Sequence, residues 1–238
     1  MFNTFLTANW EYLVMANYEV DPVVLAPYLP NGVELDVYEG KAFVSLVGFM
    51  FKKTKLFGVS IPFFGSFEEI NLRFYVKRKD GSKIKKGVVF INETVPFTLV
   101  ALLANKLYKE HYISIPTRSS IKDEEAKRKI KYEWEKNGNW NYIVAETSKE
   151  SEPMANNSIE EFIFEHYYGY TKVDSLNTIE YNVNHPRWRI RNVIDYSFDC
   201  DFKAMYGSDF SFLNEQKPNS VIAAEGSAVS IGWQRTYF

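Results

Sequence analysis

Glu69, Asn71 and Arg73 occupy alternate positions in the stretch SFEEINLRFYVK, interleaved with Ile70, Leu72, Phe74 and Val76. Strict alternation marks a β-strand with two unlike faces. On a wetted surface an acid and a guanidinium in this arrangement contribute little. Inside a closed sheet the same three groups would line a pocket, and the arginine would be a ready clamp for a carboxylate or phosphate. A second set lies near the end of the chain, where AAEGSAVSI places Glu225 and Ser227 on one face with Val229. HPRWRIRN puts Arg187, Arg189 and Arg191 on one face and Trp188 on the other. Such a row is most often a solvated face, with an anion site as the alternative.

Generic catalytic signatures are missing. The sequence holds no Gly-rich phosphate loop, no HExxH and no GxSxG. His111, His166 and His185 are scattered and read as structural. Cys200 lies between Asp199 and Asp201, which raises a thiol pKa and disfavours a nucleophilic role. A single cysteine forms no internal disulfide and no thiolate-rich zinc site, so neither metal nor cofactor is expected, and a reducing compartment is the natural inference.

Composition narrows the classes further. Lys and Arg number 28 against 30 Asp and Glu, a net charge of -2. A phosphate-backbone binder needs a basic surplus, so nucleic acid is not expected as a partner. Hydrophobic residues at 46% and charged residues at 24% give an ordinary globular balance. Aromatics reach 17%, which favours strands and supplies flat walls for a core or a pocket. No apolar run approaches the roughly 18 residues of a membrane span, and the N-terminus lacks a basic n-region. A cytoplasmic protein with no membrane partner is expected.

The elements that must position these residues are mostly strands. Trp10 to Val20, Lys41 to Phe51, the stretch around Arg73, GVVFINETV, Thr178 to Val183, Arg189 to Phe198 and Ser220 to Trp233 all read so. Asp21 and Pro22 open a short helix, and Ser158 with Glu161 forms a capping box for another. FTLVALLANKLYKEHY places Leu99, Leu102, Leu103 and Leu107 at helical spacing, with Lys106 beside that stripe. This helix is expected to cover the apolar face of Ile70 to Val76. In KIKYEWEKNGNWNYIVAE, alternation on both sides of Asn137-Gly138 predicts a two-residue hairpin rather than a charged helix. The charged run from Lys122 to Lys129 is expected to be a solvated connection. Without repeats or long linkers, one domain over residues 1–238 is expected.

Five ordered blocks carry a family resemblance: VDPVVLAPYLPNGVELDVYEGKAFVSLVGFMF, FEEINLRFYV, EEFIFEHYYGY, HPRWRI and YGSDFSFLNEQKPNSVIAAEGSAVSI. The chain resembles the YqjF-like family of bacterial proteins over nearly its whole length. That family is similar in fold to acetoacetate decarboxylase. The resemblance implies an α+β, mainly β fold: an acetoacetate decarboxylase-like cone-shaped β-barrel with a few short covering helices. It also implies that polar strand faces point inward. Decarboxylase chemistry through a Schiff base needs a lysine activated by a cationic neighbour. Here Asn105-Lys106 stands where a lysine pair would be expected, Trp10 and Glu11 where an arginine would, and Ser45 where a carboxylate would. These departures argue against acetoacetate decarboxylation.

Three readings follow. The first is a small-molecule pocket in the barrel acting on a small acidic metabolite, lined by Glu69, Asn71, Arg73, Glu225 and Ser227, with Trp188, His185 and Lys106 at its rim. The second is a non-catalytic ligand-binding module. The third is a structural or interaction protein, with a homo-oligomer compatible with any of them.

Overall fold

The computed structural model describes residues 4–60 and 62–238. Strand β1 (Thr4–Val20) leads into α1 (Pro22–Leu25) and a 3₁₀ turn, Ala26–Tyr28. Then come β2 (Glu34–Leu35), β3 (Ala42–Leu56), β4 (Val59–Ser60), β5 (Phe67–Asp80), β6 (Lys83–Val95) and α2 (Thr98–Tyr108). The middle of the chain forms β7 (Tyr112–Ser114), β8 (Thr117–Asp123), β9 (Lys127–Lys136), β10 (Asn139–Ser148), β11 (Glu152–Pro153) and α3 (Ile159–Phe164). The last part gives β12 (Tyr168–Lys172), β13 (Thr178–Asn184), β14 (Arg189–Arg191), β15 (Val193–Asp199), α4 (Phe202–Tyr206), a 3₁₀ turn Ser208–Asn214, and β16 (Ser220–Tyr237).

Seven strands close on themselves in the order β1-β3-β5-β6-β12-β13-β16, with β16 pairing back onto β1. All these pairings are antiparallel except that of β12 with β6. Closure leaves these strands an inner and an outer face. The outer one carries Val14, Ala16, Leu46, Ile70, Leu72, Phe74 and Val76, packed with Ile130, Tyr132, Trp134 and Ile143. The inner one carries Met15, Val47, Phe49, Phe51, Tyr75 and Val88, packed with Phe164 and Trp188. The expected alternation of β5 therefore places Glu69, Asn71 and Arg73 inward. Its cover differs from expectation. The apolar face of β5 lies under a second, four-stranded antiparallel sheet, β15-β10-β9-β8, rather than under α2.

That second sheet holds the predicted hairpin. Asn137 and Gly138 have φ of 53° and 83°, as a two-residue turn between right-twisted strands requires. Trp134 and Trp140 lie on the paired strands but on opposite faces, Trp134 in the core and Trp140 under the Arg118 guanidinium at 4.0 Å. The charged run from Lys122 to Lys129 is not a free connection. It supplies the end of β8 and the start of β9, where Lys127 and Lys129 both pair with Glu146. Both expected caps form: the Asp21 carboxylate accepts from the Val23 amide at 2.9 Å, and Ser158 Oγ from the Glu161 amide at 3.2 Å. Among the described residues no helix is long and apolar enough to cross a membrane.

Candidate functional site

The closed ring encloses two adjoining chambers. The polar one is lined by Glu69, Asn71, Arg73, Glu93, His166 and Trp188, among others, and holds about 60 Å³ of free space. The apolar one, about 100 Å³, runs from Phe51 and Phe67 toward Val100, Leu103 and Ala104 of α2. A single water needs only ~10–15 Å³ on the same measure, so either chamber can take more than water. Glu69, Tyr112 and Tyr181 line both chambers and mark where they meet.

Local backbone geometry decides which side chains reach this space. In β1 and β16 the in–out alternation reverses at adjoining positions, Tyr12 (φ 59°) and Gly226 (φ 80°), the latter paired with Glu11. Ile222 and Ala224 point inward before the kink, and Val229 points inward after it. A Cβ on Gly226 would meet the Trp10 carbonyl oxygen at 1.9 Å, so the kink needs glycine for space as well as for φ. In β6 the register against β5 shifts between Leu72 and Arg73, a bulge that lets both Phe90 and Glu93 face the polar chamber. On the C-terminal side of α2, Lys109 in the left-handed conformation ends the helix. The Asn105 side chain then bonds both backbone groups of Tyr112, at 2.8 and 2.9 Å, and fixes where Tyr112 enters.

The acids inside are held apart from cations. Glu69 accepts hydrogen bonds from Asn71 Nδ2 at 3.0 Å and from Tyr112 Oη at 3.0 Å, and makes no ion pair with Arg73. Burial pushes its pKa up to about 7 in spite of these donors and the nearby Arg73 charge. Glu110 accepts from Thr171 and Tyr181 at 2.6 and 2.7 Å, and burial likewise raises it to about 7. Glu93 is raised well above the usual carboxylate range by burial, then by the charges of Glu110 and Glu69. Among the described residues no cluster of His, Cys, Asp or Glu is arranged to hold a metal ion.

Arg73 is the cation of the polar chamber. It is half-buried, lies 5.7 Å from the Tyr75 ring centroid, and has no carboxylate within ion-pair distance among the described residues. Its Nη2 makes a weak contact with Met15 Sδ at 3.9 Å, and its guanidinium also acts on the neighbouring Tyr75 hydroxyl. Behind it, the Ser45 hydroxyl joins Asn17 Oδ1 and Tyr75 Oη, each at 2.6 Å. His166, buried beside Tyr75, faces Asp36 through Nε2 at 3.3 Å. Burial raises Asp36, but hydrogen bonds with His166 and Lys86 outweigh it and bring the carboxyl down to about 2.

The other expected residues distribute unevenly. His185 stacks between the Trp188 and Tyr167 rings at centroid distances of 4.3 and 4.6 Å, and both His185 and Trp188 line the polar chamber. Ser227 accepts the Trp188 indole N–H at 2.7 Å and so fixes that wall from behind. Glu225 is not in the lumen. The Gly226 kink turns it outward, where it pairs with Arg191 at 2.7 Å. The arginine row makes no free anion site either: Arg187 bonds Glu161, and Arg189 bonds Ser151. Lys106 is exposed on α2 and lines neither chamber, and Leu99 and Leu102 of the expected apolar stripe are themselves exposed. Borohydride reduction with acetoacetate or pyruvate is therefore expected to leave Lys106 unmodified. A reduced adduct on its peptide by mass spectrometry would overturn that placement.

Solved structures share this fold, and they define its class as acetoacetate decarboxylase-like. Acetoacetate decarboxylase from Legionella pneumophila aligns with a TM-score of 0.67 over 98% of this chain and 87% of its own, at 13% identity. An acetoacetate decarboxylase-like enzyme from Sphingomonas wittichii RW1 aligns at 0.66 over 99% and 93%, with 9% identity. The enduracididine biosynthesis enzyme MppR, complexed with pyruvate, aligns at 0.63 over 98% and 90%, with 12% identity. Likeness at such identity is one of fold. Within that fold the chain belongs to the DUF2071 family of uncharacterized conserved proteins, whose pattern matches residues 7–228. Uncharacterized protein YqjF of Bacillus subtilis (strain 168) is 27% identical over 189 residues, spanning 77% of this chain and 74% of that protein.

Proposed function

We propose that this protein binds a small acidic metabolite in its lumen, with Arg73 holding the carboxylate and the raised carboxyls Glu69 and Glu93 handling protons beside it. One observation carries the reading: a guanidinium faces a closed chamber without an anionic partner. Buried charges are normally paired, so an unpaired arginine in a cavity leaves a place for an anion. The adjoining apolar chamber accommodates the rest of the molecule. A carboxyl raised to about 7, as Glu69 is, suits general acid–base work at neutral pH, and Glu93 is raised beside it. The named neighbours include enzymes of acetoacetate and a complex with pyruvate. Their small acids favour a carboxylate here, but among the described residues no lysine lines either chamber. That lining argues against a lysine Schiff base and leaves the raised carboxyls as the groups placed for proton transfer.

Isothermal titration of the purified protein with short aliphatic carboxylates and their uncharged amides tests the reading. Saturable binding of acids but not amides is expected. Equal binding of both would remove Arg73 as the carboxylate site, and binding of neither would return the lumen to a packing role.

A further inference from the structure

Ten buried side-chain polar atoms lack a hydrogen-bond partner among the described residues, and five of them belong to side chains that line the polar chamber. They are Trp10 Nε1, Asn71 Oδ1, Arg73 Nε, Glu93 Oε2 and His166 Nδ1. Buried polar atoms are satisfied in nearly all native structures, so a concentration of orphans in one chamber outlines a missing partner. Their chemistry is mixed. Trp10 Nε1 and Arg73 Nε can only donate. Asn71 Oδ1 can only accept, and its orientation is set because Nδ2 is committed to Glu69 at 3.0 Å.

His166 is an acceptor for a related reason. Asp36 Oδ2 lies 3.3 Å from Nε2, and Lys86 at 3.1 Å and Lys77 at 3.7 Å hold Asp36 as a carboxylate. A carboxylate can only accept, so Nε2 carries the proton and Nδ1 carries the lone pair. Burial lowers the imidazole pKa to about 4, which keeps the ring neutral over the physiological range.

A simple carboxylate or an oxo acid brings acceptors for Arg73 and Trp10 and leaves Asn71 and His166 without a donor. A hydroxy acid brings the same acceptors on its carboxylate and adds one donor, its hydroxyl, enough for one of the two. An amino acid also brings donors, but as a cation beside Arg73, among carboxyls that burial drives toward their neutral form. Resting on the reading of Arg73 as the carboxylate site, we propose that the lumen selects a hydroxy acid. Its carboxylate lies on Arg73 and its hydroxyl donates to His166 Nδ1, so that His166, oriented by Asp36, determines specificity.

Calorimetric titration with hexanoate and its α-hydroxy, β-hydroxy, α-oxo and α-amino analogues tests this on the intact chain. One of the hydroxy acids is expected to bind at least tenfold tighter than hexanoate and the oxo acid, about 1.4 kcal/mol. In His166→Leu the advantage of the hydroxy acid over hexanoate should disappear. A loss of all acids equally in that variant would assign His166 a structural role and overturn the assignment. If His166→Leu does not fold, the ratio measured on the parent chain still decides. Equal affinities, or preference for the oxo or amino acid, would overturn the hydroxy-acid assignment while leaving Arg73 as a carboxylate site. No binding of any of the acids would overturn both.

Discussion

Replacing Arg73 with methionine is expected to weaken carboxylate binding by about 2–5 kcal/mol, some 30-fold or more, while leaving the fold as stable as before. The two halves of this result have separate causes. A buried ion pair broken on one side costs about 3–5 kcal/mol, because the remaining charge is stranded. Alternation in β5 makes such a pair between Glu69 and Arg73 a natural expectation. The structure shows otherwise: Glu69 is held by Asn71 and Tyr112, and Arg73 by nothing of opposite charge. Removing the guanidinium strands no carboxylate, because burial already drives Glu69 toward its protonated form. It also deletes an orphaned Nε and keeps much of the side-chain volume. Urea melts should place Arg73→Met within about 1 kcal/mol of the parent, or above it. Titration calorimetry should show the affinity gone. A destabilisation of several kcal/mol with affinity retained would reverse both roles. Arg73→Lys keeps the charge but loses the fork, and should recover only part of the affinity.

Much of this frame is legible in the sequence because its strands alternate cleanly where they are regular. Glu69, Asn71 and Arg73 face inward as the pattern of β5 requires, and Asn137-Gly138 turns as its residue types require. Legibility ends where the backbone departs from period two. Glu225 and Ser227 share a face in any uninterrupted strand, yet Gly226 takes a positive φ between them and sends Glu225 outward. A glycine inside an apolar strand is the one signal that marks such a place. Glu93 is hidden for the converse reason. In GVVFINETV it lies out of phase with Phe90, and only the bulge against β5 turns both inward. Glu110, Tyr112 and His166 follow helices, where no periodicity governs direction. Their positions depend on side-chain contacts with Asn105, Thr171 and Asp36, which the periodicity of a helix or strand does not report. The cover of β5 differs from expectation because an apolar strand face reveals that it is buried but not what buries it.

Raising the pH from about 5 to 8 should cost the folded protein stability through its buried acids, and Glu110→Gln should remove a large share of that cost. Glu110 has a folded pKa of about 7 against an ordinary value of 4.5, with burial as the cause. A group whose folded pKa is raised binds more protons folded than unfolded between those two values, so stability falls as pH rises through that window. A shift of this size has a ceiling of roughly 3 kcal/mol. Glu69 adds a fall in the same window, and Glu93 extends it upward. His166 works in the opposite sense. Its folded pKa of about 4 lies below the ordinary 6.5, so the stability it favours is present above 6.5 and lost as pH falls toward 4. The parent curve sums these opposing slopes and is a poor readout of either. The difference between Glu110→Gln and the parent cancels His166, because both proteins carry it. Glutamine keeps an Oε1 acceptor for Thr171 and Tyr181 and carries no charge at any pH. Urea denaturation across the range should find the two proteins nearly alike at pH 5. By pH 8 the variant should be the more stable by up to about 3 kcal/mol. A difference that stays flat with pH would mean that Glu110 ionises in the fold as readily as in the unfolded chain. The lumen would then be a wetter place than its closed ring of strands implies.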